Sequence, residues 1–212
     1  NYASYALVAK ATDNDNATTS STAVNIDVND GSTVSINIII NAGDDDVEEG
    51  EGDGNMYMNS SDIELIYDSY NGQNNQTVGL RFRNVNIPQG ATVQNAYIQF
   101  TTDETGSGNT NLNIDIENVD NAAVFTTSTF NVSNRATSGS SVSWSPNAWN
   151  SIGQRGADQQ TPELKSLIQS VVDRGGWSSG NNMVFVITGS GTRTADSYNG
   201  SAANAAELFI DY

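Results

Sequence analysis

The clearest pattern in the chain is alternation. Val78, Leu80 and Phe82 point one way and Gly79, Arg81 and Arg83 the other, and downstream Ala96, Ile98 and Phe100 alternate with Tyr97, Gln99 and Thr101. A period of two marks a strand with one buried face. Between these runs, Ile87-Pro88-Gln89-Gly90 joins a fixed φ to a residue tolerant of positive φ, which predicts a tight turn or an arch between sheets. Shorter runs obey the same rule: Ile63-Leu65-Tyr67, Leu112-Ile114-Ile116, Met183-Phe185-Ile187 or its alternate Val184-Val186-Thr188, Leu208-Ile210, and a strand opening at Val142 and Trp144. Upstream, Val34, Ile36, Ile38 and Ile40 share a face, and two further runs flank the polar turn Asp13-Asn14-Asp15-Asn16.

One segment has a helical period instead. Leu164, Leu167, Ile168, Val171 and Val172 form one stripe, Thr161 and Pro162 read as N-cap and first helical residue, and Gly175-Gly176 ends the run. The pattern therefore predicts an all-β protein, a jelly-roll-like β-sandwich over residues 44–212 with one short amphipathic helix at about 162–174. Residues 1–43 read as terminal strands and a linker. The polar section 126–141 reads as surface loops with little intrinsic order, and Trp177 as the core residue among the three Trp.

The run Ile87-Pro88-Gln89-Gly90-Ala91-Thr92-Val93, with Ala96-Tyr97-Ile98-Gln99-Phe100 after it, resembles the jelly-roll modules of secreted, multidomain bacterial proteins, including the alginate-binding type of carbohydrate-binding module. Segments 56–65, 142–149, 160–177 and 205–212 extend the resemblance over about residues 44–212. The stretch Ala11-Thr12-Asp13-Asn14-Asp15-Asn16-Ala17-Thr18-Thr19 is similar to the end of a bacterial immunoglobulin-like repeat. These resemblances imply a sandwich fold and an extracellular or cell-surface setting. They name no ligand.

Composition narrows the chemistry. Eight Lys and Arg stand against 25 Asp and Glu, and the net charge of −17 repels phosphate backbones and anionic membranes, which argues against nucleic acid as a partner. The chain has no Cys and no His, which removes disulfides, thiol nucleophiles, imidazole bases and the usual zinc ligands. No membrane-spanning period appears, so no membrane insertion is expected. Carboxylate pairs could in principle hydrolyse a glycoside, but nothing in the sequence singles out two of the 25 acids, and the reading is non-catalytic binding.

Three features are candidates for that binding. The acidic run from Asp44 to Asp53 offers seven carboxylates in a Gly-rich backbone, and Asp44, Asp45, Asp46, Glu48 and Glu49 are the expected ligands of a structural Ca²⁺, with a solvated acidic linker as the plainer alternative. The pentapeptide Asp-Ser-Tyr-Asn-Gly occurs at 68–72 and 196–200, so Tyr70 and Tyr198 could be presented as a pair of sugar-stacking rings, or the two could be unrelated turns. Arg81, Arg83, Tyr97 and Gln99 would form a polar-aromatic platform for an acidic glycan if their strands shared an open face, whereas ion pairing with Asp103, Glu104, Asp115 or Glu117 would make the arginines structural. The reading is a calcium-stabilised carbohydrate-binding module of a secreted multidomain protein, with polysaccharide as partner. The alternative is a structural or adhesive subunit of an extracellular filament or surface layer, joined to neighbouring copies through its N-terminal strands.

Overall fold

The computed structural model describes residues 2–29, 31–69 and 75–212. The chain forms two compact units, Asn1–Val34 and Ser35–Tyr212. The first holds β1 (Tyr2–Leu7), β2 (Lys10–Thr12), β3 (Thr18–Ser20) and β4 (Val24–Asn29). They make one long hairpin, β1 pairing with β4 and β2 with β3. Its tip closes because the Asp13 carboxylate accepts the backbone N–H groups of Asp15 and Ala17 while Asn16 takes a positive φ, an Asx-type turn.

The second unit runs through β5 (Ser35–Ile39), β6 (Asp46–Gly50), β7 (Met56–Tyr57), β8 (Asp62–Glu64), β9 (Gln76–Val85), β10 (Asn95–Gln99), β11 (Thr102–Glu104), β12 (Asn111–Ile116) and β13 (Val142–Trp144). It ends with helix α1 (Lys165–Val172), β14 (Asn181–Ser190), β15 (Thr194–Asp196), helix α2 (Tyr198–Ser201) and β16 (Glu207–Asp211). It is an antiparallel all-β sandwich. One layer is a six-stranded sheet in the order β13-β12-β14-β9-β6-β7; across the core lie two three-stranded sheets, β10-β16-β5 and β11-β15-β8. Strand β5, read from sequence as part of the N-terminal linker, is the edge of one of these sheets, paired with β16.

A single apolar cluster fills the space between the layers. Val78, Leu80 and Phe82 from β9 meet Ala96 and Ile98 from β10 and Leu208 and Ile210 from β16, all but inaccessible to water. Trp177 is buried there too, its indole N–H donating to the Ile87 carbonyl at 2.9 Å. The central sheet is buried on its other face as well. Residues 118–135 cross that face and set Ala122, Phe125 and Val132 against Val47, Val184 and Val186. Phe125 approaches β9 so closely that a Cβ on Gly79 would lie 2.6 Å from its ring, so only Gly fits there. The 126–141 section is thus partly a structural cover, a role its polar composition conceals.

The helix begins three residues later than its sequence signals suggest. Thr161–Leu164 continues alongside β10, the Thr161 N–H donating to Ile98 and the Leu164 N–H to Ala96, and the Thr161 hydroxyl accepts the Ile98 N–H instead of capping a helix. A second, one-turn helix, α2, is capped by Ser197, whose hydroxyl accepts the Gly200 N–H. No helix among the described residues is long and apolar enough to cross a membrane.

Candidate metal centre

The middle of the acidic run is a buried strand. Residues Asp46–Gly50 form β6, between β9 and β7, and the side chains obey the strand period of two. Asp45 and Glu49 serve the 118–135 side of the sheet: Asp45 accepts Arg81 Nη1 at 2.8 Å and contacts Arg83 Nε, while Glu49 accepts the Val132 and Ser133 N–H groups at 2.6 and 3.1 Å. Asp46 and Glu48 serve the opposite side, accepting the N–H groups of Tyr198 and Glu64 at 2.7 Å each. Asp44, more exposed, accepts Arg83 Nη2 at 2.8 Å. The five expected ligands are therefore split between the two faces of a sheet and already engaged, so they do not converge on one ion.

Burial has a price in protonation. Loss of water pushes the Asp46 carboxyl up to about 7, although the Tyr198 N–H pulls the other way. Glu48 is raised well above the carboxylate range, first by burial and then by its hydrogen bond with Glu64, itself raised by burial and by Asp62 and Asp68.

Carboxylates do converge on the outer face of the sheet β8-β15-β11. Oxygens of Asp62, Asp103 and Glu104 lie within 4.8 Å of one another. Asp62 pairs across the sheet with Asp196, and Glu64 with Thr194, which pairs in turn with Glu104. Asp103 and Glu104 are sequence neighbours and would face opposite ways in a regular strand. The register shifts between Thr102 and Glu104, making Asp103 the extra residue of a β-bulge and bringing it to the same cluster. Asp103 and Asp196 share a hydrogen bond, and both are raised, first by burial and then by a neighbouring charge, that of Asp62 for Asp103 and that of Asp103 for Asp196. None of the ion pairs among the described residues involves these acids. The cluster borders a cleft of about 560 Å³ walled by Ser60, Ser61, Asp68, Ser69 and Thr192.

Compared with protein-family models and with curated proteins, the chain matches none.

An oxygen-lined site of this span has the dimensions of a hard-cation site. Ca²⁺ takes its ligands at 2.3–2.6 Å, so two oxygens on one ion are at most about 5 Å apart. Asp62, Asp103 and Glu104 satisfy that limit, and the serine hydroxyls and the cleft leave room for further oxygens. Of the residues singled out from sequence, Arg81 and Arg83 sit on β9 beneath 118–135, tied to Asp44 and Asp45 rather than to Asp103, Glu104, Asp115 or Glu117. Tyr97 and Gln99 lie on β10 in a different sheet, so the four form no common platform. Tyr198 is half-buried against the core, and Tyr70 lies outside the described residues. The pentapeptide repeat nevertheless meets at one place: Asp68 and Ser69 line the cleft beside Asp62, and Asp196 pairs with Asp62.

Proposed function

We propose that this protein is a carbohydrate-binding module of an exported multidomain protein, with one end of its sandwich held together by a calcium ion at Asp62, Asp103 and Glu104. The observation that carries the reading is the convergence of those three carboxylates beside a hydroxyl-walled cleft, none of them in an ion pair among the described residues. Like charges this close repel strongly in a partly dry site, and a divalent cation converts that repulsion into attraction. The cation would bridge β8 to β11, two strands hydrogen-bonded to each other only through β15. Calcium fits better than magnesium because it accepts six to eight oxygens in flexible geometry, whereas Mg²⁺ demands a near-ideal octahedron. The resemblance of residues 44–212 to jelly-roll modules of secreted proteins supports the setting.

Calorimetric titration with CaCl₂ tests the site. The chain should bind calcium saturably, and Asp103→Asn should weaken binding at least about tenfold, the loss of one charged ligand being worth more than about 1.4 kcal/mol. Equal isotherms for the two proteins would remove the site.

A second reading, an adhesive or filament-forming subunit, is favoured by the N-terminal hairpin. Tyr5, Leu7, Val8 and Val24 are each more than half exposed, and Leu7 and Val24 are direct cross-strand partners. Such a surface on a two-stranded ribbon invites another strand.

A further inference from the structure

The outer face of the sheet β10-β16-β5 carries three rows of side chains, each running across three strands. Asn95, Asp211 and Ser35 form the first, Tyr97, Phe209 and Asn37 the second, and Gln99, Glu207 and Ile39 the third. In the middle row the Tyr97 and Phe209 rings stack with centroids 5.0 Å apart and planes 14° from parallel. Both rings are half-buried, and with Ser35, Asn37, Asn95 and Asp211 they border a shallow groove of about 330 Å³. We propose that this groove binds a neutral glycan chain, the pyranose rings resting against the Tyr97–Phe209 stack.

The carboxylates on the face are already hydrogen-bonded by their neighbours. Asp211 accepts the Ser35 hydroxyl at 2.6 Å and the Asn95 amide at 3.3 Å, and Glu207 is held by the Asn37 amide and the Arg155 guanidinium. What remains for a ligand is apolar ring surface flanked by amides and hydroxyls. A sugar offers the complement, a C–H face that packs on aromatic carbon and a rim of hydroxyls that both donate and accept. An anionic glycan finds no free cation here, and the arginines that would have recognised one are bound to Asp44 and Asp45 on the other sheet. A cross-strand aromatic pair also stabilises its own sheet. That role needs no groove, and the flanking Asn and Ser, besides holding Asp211 and Glu207, stand at its rim on exposed or half-exposed positions.

This proposal rests on the carbohydrate-binding reading and gives it a site, so the test must separate failure of the two. The measurement is affinity electrophoresis in gels containing hydroxyethylcellulose, laminarin, galactomannan or alginate, run with calcium. Wild-type protein should be retarded by at least one neutral polymer and less by alginate. Tyr97→Leu and Phe209→Leu keep apolar volume in the sheet, and each should weaken retardation about tenfold while lowering the melting temperature by only a few degrees, the loss of the ring pair itself. Asn37→Ala, at an exposed position and with Glu207 still held by Arg155, should weaken it with the fold retained. Retardation unchanged in all three variants would overturn the groove while leaving the module reading intact; no retardation by any polymer would overturn both. A change of oligomeric state in Tyr97→Leu without a change in retardation would make the face a contact between copies and overturn the glycan site.

Discussion

At the scale of single residues, the carboxylates divide by environment more than by sequence. Asp46 is 4% exposed and its carboxyl is pushed up to about 7, so at neutral pH it is held partly protonated by lack of water. In the unfolded chain the same group titrates near 4. Its folded-state pKa is raised, so stability is fully present below about pH 4 and is lost as pH climbs to about 7, by about 4 kcal/mol for this one group. Asp46→Asn keeps an acceptor for the Tyr198 N–H and removes the titration. In chelator, the variant should match wild type near pH 4 and exceed it in stability at pH 8, read by urea unfolding; parallel pH curves for the two would contradict the assignment. None of this is legible from Asp44-Asp45-Asp46, where three like residues in a row end up on an exposed edge, in a double arginine pair and in a dry interior. Asp103 was hidden for a different reason, because a bulge cannot be seen in a pattern that assumes a period of two.

At the scale of elements, the acidic strand shows which force wins. Carboxylates are poor strand formers, but β propensity spans only about 1 kcal/mol, whereas each hydrogen bond to a charged group contributes about 1.5–3 kcal/mol. Asp45 through Arg81 and Glu49 through Val132 and Ser133 therefore overrule propensity and fasten residues 118–135 to the sheet. The alternating strands β9, β10, β12 and β14 were readable because one face of each meets the central core. The helix was readable in its stripe and misread at its start, since Thr161 found a better partner in β10. The N-terminal hairpin was readable as two strands, and its exposed apolar pairs yield a prediction of their own. If it pairs with other copies, light scattering should show the full chain forming larger species as concentration rises while residues 35–212, which hold the whole core, stay monomeric. Monomers for both at every concentration would remove the assembly reading.

At the scale of the whole molecule, a chain with a net charge of −17 disperses its carboxylates: some pair with arginine, some are held protonated by burial, and three gather beside one cleft. The fold class could be read from periodicity, yet the expected metal ligands and the observed cluster share no residue, because proximity in sequence and proximity across a sheet are different things. The most direct measurement is thermal unfolding in EDTA against millimolar CaCl₂ at constant ionic strength, for wild type and for the Asp62→Asn, Asp103→Asn double variant. Binding to the folded state alone adds about 2.7 kcal/mol at a hundredfold excess over the dissociation constant, which for a chain of this size raises the midpoint by about 5–10 °C. A cation at Asp62, Asp103 and Glu104 predicts that rise in wild type and its loss in the double variant; equal midpoints with and without calcium in wild type, or an undiminished rise in the double variant, would contradict it.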